Sequence, residues 1–285
     1  MLPAGLLRAD EAEEPVAVFT QVFNGYARTW LPDKTFKPES YVFGEGGCWT
    51  RPVKDPGMEE MTFLRVARAV AAPLGRLNYR PARTSAETEL MILVFWGSTQ
   101  GSRDLDRSGP VDRFASASSV LAAAKDVDQA SKTDSTKADP ATAAAESAYD
   151  DALWQMGLAN GERDRLDNRN ARILGYTEVL DRARFASHMS FAQDIISELA
   201  HNRYYVVLQA YDFKTAAKEK KLKPLWTARI SMDESGNDFA RALDQMLRCA
   251  TPYLGQDSDG LHRHLTRGGR VDLGPLEIIE TVPAK

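Results

Sequence analysis

Two histidines near the C-terminus have the spacing in this sequence that best fits metal chemistry. His262 and His264 form an H-x-H pair, and on a strand both imidazole rings would point to the same side, as metal ligands must. Arg263 lies between them and Arg267 and Arg270 follow, so a cation would be repelled, and no third ligand is evident. The pattern therefore favours surface histidines in a basic turn, and we expect no metal and no other cofactor.

The two cysteines, Cys48 and Cys249, lie far apart and fit neither a zinc motif nor a disulfide-rich scaffold. Neither has the neighbours of a recognisable nucleophile, and the chain contains no G-x-S-x-G elbow. If the protein is exported, a disulfide between Cys48 and Cys249 is one hypothesis, and a simply buried Cys249 is the other. Because members of a catalytic triad can come from anywhere in a chain, an enzyme remains the alternative to a protein without catalytic residues.

A glycine cluster, Gly44-Glu45-Gly46-Gly47, has the composition of a loop that cradles phosphate. No helix opens directly after it and no Lys-Ser/Thr follows, so it is a poor P-loop. A tight turn or a bulge that needs positive φ is the better interpretation. Trp49 follows the cluster, and we predict that it is exposed and available to bind a partner.

A lysine-rich connector, residues 214–224 (KTAAKEKKLKP), carries five lysines against Glu219 alone. Burying those lysines without acidic partners would cost their hydration, so the connector is predicted to stand in solvent. One role is solubility and protection of a sheet edge from strand pairing. The other is docking to an acidic partner or an anionic membrane surface, for which the candidate residues are Lys218, Lys220, Lys221 and Lys223.

The connector joins the two segments with the clearest strand pattern. Residues 203–213 (RYYVVLQAYDF) and 225–232 (LWTARISM) alternate side chains with period two, which predicts a long antiparallel hairpin. A nearly continuous apolar run at residues 89–97 predicts a central strand covered on both faces. The remaining predicted core elements are strands at residues 16–23, 41–43 and 276–281, and helices at residues 59–78, 190–201 and 237–254.

Composition changes between residues 98 and 171, which are rich in alanine and small polar residues. Two helices that pair as a hairpin are predicted there, joined by a polar linker at residues 131–140. Together the segments predict an α/β (α+β) fold with a mixed, largely antiparallel sheet, helices mostly on one face, and a helical insertion. The core would comprise residues 15–97 and 172–285, and residues 98–171 would form the partly flexible insertion.

Charge and hydropathy exclude several classes of protein. The net charge is −4, which does not favour nucleic-acid binding. The apolar fraction of 43% supports a core, and no apolar run is long enough to predict a transmembrane helix. Residues 1–14 pair an apolar end with an acidic segment, which predicts the remainder of a signal peptide, with a disordered N-terminus as the alternative.

Four segments carry a resemblance to a known group of proteins: residues 26–47 (YARTWLPDKTFKPESYVFGEGG), 90–101 (LMILVFWGSTQG), 167–176 (DNRNARILGY) and 204–231. They resemble a group of uncharacterised exported proteins of environmental Gram-negative bacteria. The element order is similar to that of domains of unknown function in bacterial lipoproteins, although no lipobox cysteine lies near the start. The resemblance implies a periplasmic or secreted location and brings no activity.

These observations favour a non-catalytic exported α/β module. Its expected role is to bind a partner protein or a cell-envelope component, as an accessory subunit of a larger complex. The alternative is a hydrolase or another enzyme. A deep pocket with convergent titratable residues would favour the enzyme, whereas a shallow surface with an exposed aromatic patch would favour the binding module.

Overall fold

A computed structural model of the chain describes residues 13–50, 55–105, 108–131, 139–185 and 189–267. Seven strands form one mixed sheet: β1 (Glu13–Val22), β2 (Glu39–Trp49), β3 (Tyr79–Pro81), β4 (Leu90–Thr99), β5 (Arg203–Asp212), β6 (Pro224–Asp233) and β7 (Leu261–Arg267). The spatial order is β3-β2-β4-β5-β6-β1-β7. Only the pairings of β2 with β3 and with β4 are parallel, so the predicted mixed, largely antiparallel sheet and the α/β fold are confirmed.

The helices follow the sheet in two groups. Those of the core are α1 (Pro56–Glu59), α2 (Phe63–Arg76), α5 (Thr177–Phe185), α6 (Met189–Leu199) and α8 (Phe239–Ala250). The long helices α3 (Ser108–Ser131) and α4 (Pro140–Leu174) lie between β4 and α5 in sequence, and α7 (Phe213–Glu219) lies between β5 and β6. None of the described helices combines the length and the apolar character that crossing a membrane requires.

The β5–β6 hairpin predicted from period-two alternation is present, and each of its faces packs into a different core. On the first face, Tyr204, Val206 and Leu208 of β5 join side chains of β6, α2 and α8. Trp226 of β6 and Phe239 of α8 are fully buried there. Burying a large apolar side chain stabilises a fold by roughly 1.5–3 kcal/mol, so this face contributes much of the stability.

The second face of the sheet is also covered by helices, which differs from the prediction that helices would lie mostly on one face. Tyr205 and Val207 of β5 pack with Leu174 at the end of α4, and with α5 and α6. The physical reason is that β5 carries apolar side chains on both faces, and a strand of this kind has to be covered twice. The last turn of α4 belongs to this second core.

Helices α3 and α4 pair along their length, as predicted for the insertion. Phe114 and Tyr149 pack with ring centroids 5.4 Å apart, and Lys125 pairs with Glu146 at 3.2 Å. Asn170, near the C-terminal end of α4, donates through Nδ2 to the Gln100 carbonyl oxygen at 2.7 Å. This hydrogen bond connects α4 to the residue that follows β4. Most of the predicted linker, residues 132–138, lies outside the described residues.

Both ends of the chain carry predictions that lie largely outside the described residues. The predicted leader, residues 1–14, is described only from Glu13, where β1 begins. The predicted strand at residues 276–281 is not among the described residues. The basic turn predicted around His262 is instead β7, an edge strand, because it pairs antiparallel with β1 from Phe19 to Glu13.

Candidate functional site

The glycine cluster lies inside β2 rather than in a loop. A Cβ at Gly44 or at Gly46 would come within 2.6 Å of the side chains of Leu93 and Phe95, respectively, so glycine gives these side chains room to lie over β2. The register between β2 and β4 shifts between Glu45 and Gly47, and Gly47 has φ of 140°. The predicted bulge with positive φ is therefore confirmed, and the cluster has the role of shaping the sheet surface.

Where β2 ends, the second face of the sheet opens into a concave site that we call the Trp49 pocket. Its volume is about 220 Å³. Strands β2, β4, β5 and β6 and the end of α4 contribute its lining: Trp49, Phe95, Arg172, Ile173, Tyr205, Val207, Gln209 and Arg229. The pocket thus joins residues that are up to 180 positions apart in sequence, from Trp49 to Arg229.

Trp49 is the exposed wall of this pocket. Its side chain is 62% exposed, as the sequence predicted, and it stands beside half-buried Phe95 and buried Tyr205. Burial also raises the pKa of the Tyr205 hydroxyl well above its ordinary value, so this group stays neutral. An aromatic wall above an apolar floor can hold an apolar or aromatic group of a ligand.

Two arginines give the pocket its charge. Arg172 is exposed on α4, whereas Arg229 on β6 is partly buried. Burial lowers the pKa of Arg229 from its ordinary value, and the nearby Glu178 carboxylate opposes this shift. The stem of Arg229 packs against Gly175, the left-handed residue that ends α4, where a Cβ would come within 2.9 Å of Arg229 Cδ.

The described lining of the pocket carries groups that can bind a ligand. None of its eight residues is a histidine, cysteine, aspartate or glutamate, the side chains that most often act as general base or thiol nucleophile. Planar guanidinium groups bind carboxylates through paired, charge-assisted hydrogen bonds. A ligand that places an apolar group beside an anionic group would therefore satisfy both parts of the pocket.

The other predicted binding residues do not join this site. Lys218, Lys220, Lys221 and Lys223 are exposed in the connector, as predicted, although part of the connector forms α7. They follow the end of β5, whereas Tyr205 of the pocket lies near its start. Tyr205 and Asp212 are seven residue steps apart along the strand, a distance of about 23 Å. The lysines and Trp49 are therefore two separate surfaces.

The hypothesis of a disulfide between the two cysteines is not supported, because both thiols are free. Cys48 lies at the end of β2, whereas Cys249 lies in the last turn of α8. The loop after α8 contains Gly255, which packs against Tyr79. Tyr79 pairs with Glu39 at the start of β2, so this loop lies at the end of β2 opposite to Cys48. Burial raises the pKa of both thiols, which disfavours the reactive thiolate.

The H-x-H pair is half-buried on β7 rather than exposed in a turn. The rings of His262 and His264 pack against Tyr253 in tilted orientations, at centroid distances of 4.7 and 5.7 Å. His262 Nε2 lies 2.6 Å from the Ser258 carbonyl oxygen, and burial lowers the pKa of His264. Among the residues that the structure describes, no three His, Cys, Asp or Glu side chains are grouped as a metal site requires.

A second concave site contains a histidine–aspartate pair that was not predicted from the sequence. His201 Nδ1 lies 3.0 Å from Asp233 Oδ2, beside a cavity of about 420 Å³ that Asp104, Asn202 and Ser235 help to line. Hydrogen bonds from Ser235 and from His201 lower the pKa of Asp233 against the opposing effect of burial. A carboxylate that orients an imidazole is a feature of general bases. However, His201 Nε2 is buried and makes no hydrogen bond within the described structure.

Comparison with known proteins adds no family. No protein-family model matches the chain, and no curated protein is significantly similar to it in sequence. The resemblance to exported proteins of Gram-negative bacteria therefore stays a prediction. The side chains of the Trp49 pocket are the observation from which a function can be inferred.

The pocket residues other than Trp49 had only a weak signal in the sequence. The period-two alternation of residues 203–213 places Tyr205, Val207 and Gln209 on one side of β5, and that of residues 225–232 places Arg229 on the side of β6 with Thr227 and Ser231. The register that brings Val207 opposite Arg229 could not be predicted from either strand alone. Arg172 ends a run of alternating charges, residues 162–172 (ERDRLDNRNAR), which is typical of an exposed helix face and contains no information about its neighbours in the fold.

Proposed function

We propose that the protein is a non-catalytic binding module and that the Trp49 pocket holds a segment of its partner. The observation that supports this function is the exposed indole of Trp49 beside Phe95 and Tyr205, with Arg172 and Arg229 at the same pocket. Tryptophan and arginine are the residue types that most often dominate the energy of an interface. A pocket of about 220 Å³ accommodates one or two side chains rather than a large cofactor.

The chemistry of the pocket favours one class of partner segment. We infer a segment that places an aromatic or aliphatic side chain next to a carboxylate. The apolar side chain would pack against Trp49 and Phe95, and the carboxylate would pair with Arg229 or Arg172. Because Arg229 is partly buried, its ion pair would be screened less by salt than a pair on the open surface.

We also propose that the module acts outside the cytoplasm, in the periplasm or after secretion, as an accessory subunit of a larger complex. The apolar and acidic character of residues 1–14 and the resemblance to exported proteins support this location. The partner is then a protein or another component of the cell envelope. The connector lysines would form a separate contact with an acidic surface.

Affinity capture from a native envelope extract tests this function. Wild-type protein, Trp49→Ala and Trp154→Ala are immobilised in parallel, since Trp154 on α4 is 63% exposed and lies outside the Trp49 pocket. We expect one envelope component to be retained by the wild type and by Trp154→Ala but not by Trp49→Ala. Equal recovery by all three proteins, or recovery of nothing by the wild type, would contradict the proposal.

The pairing of His201 with Asp233 supports a second candidate function, a hydrolase. Its cavity is the larger of the two sites, at about 420 Å³, and contains Ser235. The binding function is favoured because His201 Nε2 is buried, so a substrate cannot reach the atom that would accept its proton. Hydrolysis of activated esters that is lost in His201→Ala, while the fold is retained, would favour the enzyme instead.

A further inference from the structure

A second aromatic cavity, which we call the Trp30 pocket, lies between the segment after β1 and the loop after α8. Its volume is about 220 Å³, and it shares no residue with the Trp49 pocket. Its lining residues are Val22, Tyr26, Ala27, Arg28, Trp30, Phe36, Gly255, Gln256 and Asp257.

Four side chains form a continuous stack at this cavity. The Trp30 and Phe36 rings lie 4.1 Å apart between centroids, and Arg28 Cζ lies 4.6 Å from the Phe36 centroid. On its other side, Arg28 Cζ lies 3.9 Å from the Tyr79 centroid. Trp30 ends the stack with 61% of its surface exposed, which is unusual for so large an aromatic ring. The stack thus presents a fixed, flat indole at the edge of the cavity.

The inner part of the stack is electrically balanced. The Arg28 side chain is 1% exposed and forms an ion pair with Glu39, with Nε 3.1 Å from Oε1. Its Nη2 donates to the carbonyl oxygens of Lys37 and Leu77, at 2.9 and 3.0 Å. Tyr26 donates to Glu39 Oε2 at 2.7 Å. The buried cation therefore has its counter-ion already, and the cavity does not need an anionic ligand to neutralise it.

The rim of the cavity is polar and is held by the backbone. Thr20 Oγ1 donates to the Gln256 carbonyl oxygen at 2.8 Å, and Gln256 N donates to the Tyr253 carbonyl oxygen at 3.0 Å. Gly255 has φ of 76°, and a Cβ there would lie 1.9 Å from the Tyr79 hydroxyl. Only glycine fits this approach, which brings Gln256 and the exposed Asp257 carboxylate to the cavity.

We propose that the Trp30 pocket binds a single ring of a neutral saccharide. The apolar C–H face of a sugar ring would pack on the Trp30 indole, and its hydroxyl groups would donate to Asp257 Oδ2 and to Gln256 Oε1. Asp257 Oδ1 already accepts from Asp259 N, and Gln256 Nε2 already donates to the Pro252 carbonyl oxygen.

The Asp257 carboxylate disfavours an acidic sugar because like charges repel, whereas the charge of Glu39 is already balanced by Arg28. The Trp49 pocket, in contrast, presents arginines and favours an anion, so the two pockets select different ligands.

Titration of nitrogen-15-labelled protein with neutral oligosaccharides tests this site. The probes are chitotriose and maltotriose, with trigalacturonate as the anionic comparison, and the indole N–H signals report on each tryptophan separately. We expect a saturable shift of the Trp30 signal with one of the neutral probes and no matching shift of the Trp49 or Trp154 signal. Weak, millimolar to micromolar binding is expected for a site of one ring.

Three variants decide the outcome. Because Trp30→Ala lacks the indole signal, the variants are compared by isothermal titration calorimetry. Trp30→Ala should weaken binding of the neutral probe by about tenfold or more, since it removes the stacking face. Asp257→Asn should weaken it less, while Trp154→Ala, which removes an equally exposed indole, should leave it unchanged. The proposal is overturned if no neutral probe saturates the Trp30 signal, if trigalacturonate binds more tightly than the neutral probes, or if Trp30→Ala binds like the wild type.

Discussion

The carbonyl oxygen of Trp49 rests against the α-carbon of Gly97. The two residues are paired between β2 and β4, and a Cβ built at position 97 would lie 1.7 Å from that oxygen. Gly97 also has φ of 157°, a conformation that residues with a side chain rarely adopt. The position of Trp49 over the pocket therefore depends on a glycine in the neighbouring strand.

Gly97→Ala should destabilise the protein by about 2 kcal/mol or more, because it adds both backbone strain and a collision with β2. Urea denaturation measures this change. Gly161→Ala on α4 is the matched control, since the added carbon would meet no atom within 4 Å apart from its chain neighbours and the backbone of its own helix. The control should be stabilising by about 0.4–1 kcal/mol. If the two variants are equally stable, β2 and β4 do not approach each other at Gly97 as closely as described.

The buried ion pair beneath α6 should be sensitive to loss of its carboxylate. Arg203 is 1% exposed, and Glu198 faces it while also pairing with Arg263 at 2.9 Å and accepting a hydrogen bond from Tyr176 at 2.9 Å. Glu198→Gln removes the carboxylate shared by Arg203 and Arg263, while Asp233 still interacts with Arg203. The substitution should reduce the free energy of unfolding by up to about 3–5 kcal/mol.

Asp244→Asn is the control for that experiment, because Asp244 pairs with Arg248 on the exposed surface of α8. Exposed pairs of this kind contribute about 0.2–1 kcal/mol. Both variants are compared by chemical denaturation at neutral pH. A loss for Glu198→Gln that is no greater than the loss for Asp244→Asn would contradict the buried network.

Stability should fall as the pH drops toward 5, in part through His264. Burial, with a smaller effect from His262, lowers the pKa of His264 in the folded protein. The unfolded chain then takes up the proton more readily, at about its ordinary pKa of 6.5, so stability is present above that pH and is lost below it. His264→Gln should show a shallower decline of Tm between about pH 7.5 and pH 5 than the wild type. If the Tm of His264→Gln and of the wild type fall equally over this pH range, His264 does not contribute to the pH dependence of stability.

Replacing Lys218, Lys220, Lys221 and Lys223 together with glutamine should change the free energy of unfolding by no more than about 0.5 kcal/mol per site, because exposed side chains contribute little to folding. Thermal denaturation measures this, and a large fall in Tm would mean that the connector is packed. Recovery of partners from envelope extract, measured on the same variant, separates docking from a purely solvated connector. Unchanged stability with lost partners supports docking.

Local periodicity predicted those strands whose own residue pattern shows which of their faces are buried. The β5–β6 hairpin and the central strand β4 follow from residue alternation and apolar runs, which report directly on covered faces. Strand β7 was missed because its residues, LHRHLTR, are mostly polar, and the strand forms by pairing with the free edge of β1. Pairing of this kind is a tertiary effect that overrides local propensity.

Each site is formed by residues from several segments, so no single segment of the sequence predicts it. Trp49 was a candidate from its place after a glycine cluster, but Arg229 reaches the same pocket only through the registers of three strand pairings. The Arg28 stack likewise joins Trp30 and Phe36 to Tyr79 on another strand. Sequence separation hides such contacts because a shift of one residue in register would send each side chain to the other face.

The most direct test of the binding function is a titration of the Trp49 pocket itself. Nitrogen-15-labelled protein is titrated with a short acetylated peptide in which glutamate and phenylalanine alternate, and with the matching peptide of lysine and phenylalanine. We expect the acidic peptide to shift the Trp49 indole signal saturably, and Arg229→Gln to weaken that binding by about tenfold. Trp49→Ala lacks the indole signal, so binding by the variants is measured by isothermal titration calorimetry. Equal binding of the two peptides, or unchanged binding by both Trp49→Ala and Arg229→Gln, would contradict the proposed function.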